Sequence, residues 1–143
     1  MQMKPKLLLR IAAILMLIHT MGHSLGMAGW KNATDPIQKN VIDQMINNKF
    51  PFMGDVHSIA DYYEGFGYAC TIAMLLISVI LWLTASETER ASTFAKKIAF
   101  VLGVSLLAWG VDELICFFPF AAWTSLIAGG LTSFAAFTIK SNS

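Results

Sequence analysis

Two carboxylates, Asp112 and Glu113, stand side by side in a run, residues 98–118, that carries no other charge. A run of that length spans a bilayer, because ~20 apolar residues at ~1.5 Å rise cover ~30 Å. A charged residue at the centre of such a helix costs roughly 2.5–3.5 kcal/mol, less toward the interface, so the pair calls for partners. His19 and His23 lie in a second apolar run, four residues apart and so on one helix face. Imidazole and carboxylate together admit three chemistries. The first is a zinc or iron site built from His19, His23, Asp112 and Glu113. The second is proton transfer between His and carboxylate groups in a low-dielectric setting. The third is binding of an amphipathic small molecule, with the carboxylates as acid and base.

A third group of residues extends the set. His57, Asp61 and Glu64 follow i, i+4, i+7 spacing and share one face if a helix begins that early. Asp112, Glu113 and Glu64 are the candidate acid–base residues. His19, His23, His57, Asp61 and Trp109 are the candidate ligand-binding residues, with Thr124 and Ser125 able to add hydroxyls. A bis-histidine haem, with one imidazole from the first helix and the other from His57, rests on fewer residues than zinc or iron. Each residue also has a structural reading. Ser58-x-x-Asp61 has capping-box spacing, which would employ Asp61 at a helix start. Asp112 and Glu113 could serve only to bond a histidine of the first helix and lock the helices together.

The elements that must hold these groups follow from composition. The chain is 56% hydrophobic and only 13% charged, against roughly 25% charged in soluble domains. It therefore reads as one membrane domain over residues 1–143, all-α. Spans are expected at about 7–27, 58–84, 93–118 and 120–139, forming an antiparallel four-helix transmembrane bundle. A basic start before an apolar stretch also fits a signal peptide, but this stretch exceeds signal-peptide length and closes without a small-x-small site. Between the first two spans, Asp35-Pro36 opens an amphipathic helix at about 36–48, with Ile37, Val41, Ile42, Met45 and Ile46 on one face. It is too short to cross and is expected to lie in the interface. A bend at Phe50–Gly54 ends it. Ala99-x-x-x-Gly103, with Gly110 beyond, and Gly22-x-x-x-Gly26 provide small faces for close helix approach.

Lys4, Lys6, Arg10, Arg90, Lys96, Lys97 and Lys140 fall on one side of this topology, and Lys31, Lys39 and Lys49 on the other. The positive-inside rule then places both termini in the cytoplasm, in the cell membrane. Depth by helix rise puts His19 ~18 Å and His23 ~24 Å up the first helix, and Asp112 and Glu113 ~28–30 Å up the third. All three histidines and the carboxylates Asp61, Glu64, Asp112 and Glu113 then share the outer half. A net charge of +1 without a basic face argues against a nucleic-acid partner. Membrane lipids and an amphipathic small molecule are the expected partners. Small-residue faces permit a homodimer. Cys70 and Cys116 fall in different spans at different depths, which argues against a disulfide.

Four short spans with a polar pocket in one leaflet resemble the small bacterial DoxX-like membrane proteins. More loosely, His57-x-x-x-Asp61 and Asp112-Glu113 are similar in type to the His and acidic residues of the emopamil-binding sterol-isomerase fold, a resemblance that implies acid–base chemistry on a lipid ring. The functional expectation is a multi-pass membrane protein with a His/carboxylate pocket in the outer leaflet half, binding a small ligand, a proton or a metal. The competing expectation is a non-catalytic structural or accessory subunit whose polar cluster only fixes helix packing.

Overall fold

Four stretches of this chain form helices long and apolar enough to cross a membrane: α1 (Pro5–Gly29), α3 (Ile59–Glu87), α4 (Ser92–Cys116) and α5 (Pro119–Thr138). The computed structural model describes residues 4–90 and 92–140. A short helix, α2 (Pro36–Asn47), and a hairpin of β1 (Lys49–Phe52) and β2 (Asp55–Ser58) lie between α1 and α3 in sequence. The described residues divide into two compact units. One takes the chain up to Thr20 and from Met74 onward, and the other takes Met21–Ala73.

In the first unit the core is a set of narrow stripes. On α1, Leu8, Leu9, Ala12, Ala13, Met16, His19 and Thr20 are buried, recurring at helical spacing along one face. On α4 the buried stripe is Ser92, Ala95, Ala99, Gly103, Leu106, Gly110 and Glu113. It is almost entirely small residues, as expected where helix backbones approach closely without a hydrophobic drive between them. On α5, Ala121, Ala122, Thr124, Ser125, Ala128, Gly129, Thr132, Ala135 and Ala136 answer it.

Glycine positions give the register of α4 on α5. A Cβ at Gly103 would lie 2.7 Å from Ser133 N, one at Gly129 would lie 2.8 Å from Leu107 N, and one at Gly110 would lie 2.7 Å from Leu126 Cγ. Each advance along α4 is matched by a retreat along α5, so the two helices run antiparallel. Gly22 and Gly26 have nothing within 4 Å of a Cβ position, so that small pair makes no close approach here. The second half of α3 joins the unit through Ser78 Oγ, which donates to Ala13 O at 2.7 Å, and through Trp82, whose ring lies 5.1 Å from Arg10 Cζ.

In the second unit, α2 begins as its sequence predicts. Asp35 Oδ1 accepts from Ile37 N and Gln38 N at 3.0 and 2.9 Å, with Pro36 at the first helical position. Ile42 is buried, but Ile37 and Val41 on the same helix are exposed, so part of the apolar face is presented outward. The capping box at the start of α3 also forms. Asp61 Oδ2 accepts from Ser58 N and Oγ, and Ser58 Oγ accepts from Asp61 N.

The bend expected at residues 50–54 is instead the turn of the hairpin. Lys49 pairs with Ser58, Phe50 with His57, Pro51 with Val56 and Phe52 with Asp55. Met53 and Gly54 form the two-residue loop with φ of 51° and 92°, the positive values that match the twist of a tight hairpin. Proline is tolerated at this place for a specific reason. The pair that closes a two-residue loop is hydrogen-bonded, so the next pair, Pro51 with Val56, is not, and the missing N–H breaks no ladder bond.

Candidate functional site

His19 is the end of the α1 stripe and Glu113 the end of the α4 stripe, and in the first unit the two meet. His19 Nε2 lies 3.2 Å from Glu113 Oε1, with the side chains 8% and 6% exposed. The phase of each helix explains the meeting. His19 follows Leu8, Ala12 and Met16 on the inward face. Glu113 follows Ala99, Gly103, Leu106 and Gly110. Asp112 sits about 100° round the helix from Glu113 and is exposed in the last turn of α4, with its Oδ1 3.9 Å from Cys116 Sγ.

The pair has a surround of named donors and acceptors. Trp109, one turn earlier on α4, donates from Nε1 to Glu113 Oε1 at 3.0 Å. Two hydroxyls of α5 face the other side of the imidazole, with Thr124 Oγ1 3.0 Å and Ser125 Oγ 3.2 Å from His19 Nδ1. Thr124 also donates its own hydrogen to Ala121 O at 2.6 Å. Ser125 interacts with the Glu113 carboxylate as well as with the imidazole. Glu113 Oε2 is buried and meets no hydrogen-bond partner within normal geometry among the described residues. Buried polar atoms are almost always bonded, so such an atom asks for a reason.

The other candidate residues take partners within the second unit. His23 Nε2 lies 3.0 Å from Gly67 O. A backbone acceptor of this kind leaves no mark in sequence spacing. Glu64 Oε1 pairs with Lys31 Nζ at 2.6 Å and accepts from Trp30 Nε1 at 3.2 Å, while Trp30 packs on Tyr63 at 4.8 Å between ring centroids. The cluster thus joins two aromatic rings, a cation and a carboxylate. His57 Nε2 is 3.2 Å from Asp55 Oδ2 and its Nδ1 is 3.8 Å from Asp61 Oδ2. The Asp55 carboxyl is held below the usual carboxylate range, first by the Val56 backbone N–H it accepts and then by His57 beside it. Asp61 is an exposed capping residue.

Of the four residues proposed as metal ligands, only His19 and Glu113 touch. Among the described residues no group of three or more His, Cys, Asp or Glu side chains is placed to hold a metal ion. The ring nitrogens of His57 face Asp55 and Asp61, and both ring nitrogens of His19 have partners. What remains is one buried imidazole–carboxylate pair with two hydroxyls and an indole around it, an arrangement that can hold and move a proton.

No protein-family model, curated protein or solved structure matches this chain.

Proposed function

We propose that this chain is a multi-pass membrane protein whose His19–Glu113 centre binds and releases a proton inside the helix bundle. The observation that carries this reading is the pair of hydroxyls at His19 Nδ1. Thr124 commits its hydrogen to Ala121 O, so toward Nδ1 it offers a lone pair and accepts. Ser125 has a hydrogen to give. One ring nitrogen thus has an acceptor and a donor both in place.

Two states follow without movement of the ring. When Nδ1 is bare, Ser125 donates to it and Nε2–H donates to Glu113. When Nδ1 takes a proton, it donates to Thr124, and Ser125 is released to turn its hydrogen toward the Glu113 carboxylate. That carboxylate has a buried oxygen, Oε2, with capacity to accept it. In the second state an imidazolium faces a carboxylate and the centre is neutral overall. A low-dielectric interior favours a neutral, fully bonded pair over a lone buried charge. The proton taken up sits on Nδ1, and the one between Nε2 and Oε1 stays in place throughout.

The reading takes α1, α3, α4 and α5 as an antiparallel transmembrane bundle with α2 in the interface and both termini in the cytoplasm, as the distribution of lysine and arginine supports. The DoxX-like resemblance bears on that architecture alone. The second reading, a structural lock, is favoured by one observation: the same network ties three helices, α1, α4 and α5, to one another.

Infrared difference spectra of the protein in lipid vesicles, recorded across a pH titration, separate the two. A carboxylate band that is absent in Glu113→Gln is expected to shift with pH in the wild type, as Ser125 turns toward it, and to lose most of that shift in Ser125→Ala. A Glu113 band indifferent to pH would leave the lock as the better account.

A further inference from the structure

The α4–α5 pair carries a second feature, at the end of the unit where α4 begins and α5 stops. There a groove of about 600 Å³ runs between the two helices, with Phe100, Val101 and Phe137 along it and Lys96 and Lys97 at its rim. Phe100 and Phe137 meet edge to face at 6.4 Å between ring centroids. Both rings stay largely exposed, at 50% and 73%, as does Val101 at 60%. The rings form a wall and do not fill the space.

The rim has the opposite character. Neither lysine makes an ion pair among the described residues. Two cations therefore stand at one end of an apolar groove whose lining holds no carboxylate. A smaller groove of about 200 Å³, between α3 and α4, has Glu87 on its lining and no lysine. The positive rim thus belongs to the α4–α5 groove specifically.

Depth sets what can sit there. Lys96 and Lys97 lie ~6–8 Å from the start of α4 at Ser92, and α5 ends at Thr138. If α4 and α5 span the bilayer, the lysines reach headgroup level and the rings lie among acyl chains. The geometry points to a binding site for an anionic phospholipid, with its phosphate on Lys96 and Lys97 and an acyl chain along Phe100, Val101 and Phe137. Basic recesses between spanning helices recognise lipid headgroups by this combination of charge and slot. A zwitterionic headgroup lacks the net charge that these unpaired lysines call for.

Native mass spectrometry of the full chain, released from detergent with either dioleoylphosphatidylglycerol or dioleoylphosphatidylcholine added, tests the site. The wild type is expected to retain the glycerol lipid roughly tenfold or more over the choline lipid, given two lysines near the surface. Lys96→Gln/Lys97→Gln is expected to bring the two to parity with unchanged circular dichroism. A double variant that fails to fold does not end the test, because Val101→Trp keeps both lysines and fills the groove, and it too is expected to lose the retained lipid. Equal retention of both lipids by the wild type would overturn the proposal. So would a preference that survives both variants, displacement of the lipid by inorganic phosphate alone, or a second copy of the chain occupying the face in place of lipid.

Discussion

His19→Leu is expected to destabilise the protein by about 3 kcal/mol, and Glu113→Leu by a similar amount, while the double variant recovers most of the loss. The reason lies in what each single change strands. Without the imidazole, the Glu113 carboxylate, 6% exposed in the wild type, loses its Nε2–H donor and is left buried with only the Trp109 indole N–H on Oε1 and the Ser125 hydroxyl beside it. Without the carboxylate, Nε2 of His19 and Nε1 of Trp109 both lose their acceptor. Removing one member of a buried pair costs far more than replacing both by apolar groups of similar size. The check is a double-mutant cycle by chemical unfolding in detergent. A coupling of about 2 kcal/mol is expected for residues in direct contact. Additive losses would mean that His19 and Glu113 do not share a bond in the folded protein.

Adjacent glycines on α5 are expected to respond to alanine with opposite signs. At Gly129 a Cβ would lie 2.8 Å from Leu107 N and 3.1 Å from Leu106 Cβ. The first of these is backbone of α4, so neither helix yields without moving the other. Gly129→Ala should therefore cost on the order of 1–3 kcal/mol, as overpacked sites do. At Gly130 a Cβ meets nothing within 4 Å, and the residue lies inside α5. There alanine removes chain freedom from the unfolded state and should add about 0.5–1 kcal/mol. Thermal unfolding of the two variants beside the wild type is the measurement. Like-signed shifts of similar size would mean that α4 and α5 do not approach at Gly129.

Much of this arrangement is legible in the amino-acid sequence. The four long helices follow from length and apolar composition, and the starts of α2 and α3 follow from Asp35-Pro36 and Ser58-x-x-Asp61, whose hydrogen bonds form as their spacing predicts. The choice between the two carboxylates is left open by the sequence reading, although helical phase carries the signal that decides it. Ala99, Gly103 and Gly110 mark the close-packed face of α4, and the next position on that stripe is Glu113, not Asp112.

The expectation of one polar layer uniting seven residues rested on depth and on shared helix faces, and neither says anything of competing partners. His23 finds a backbone carbonyl, Glu64 finds Lys31 and Trp30, and His57 finds Asp55 two residues away on β2, a strand of a hairpin that no periodicity announced. That hairpin was hidden by its own residues. Pro51 inside a strand and Met53 at positive φ both run against local preference. Only the pairing of the two strands makes them acceptable.

In the proposed proton centre, His19 keeps its Nε2 proton toward Glu113 and exchanges a second proton at Nδ1, between Thr124 and Ser125. Solid-state ¹⁵N spectra of histidine-labelled protein in bilayers, with His19 assigned from the spectrum of His19→Asn, read both ring nitrogens separately. As pH is varied, Nδ1 is expected to pass between bare and protonated while Nε2 stays protonated. A titration seen at Nε2, with Nδ1 unchanged, would contradict the account.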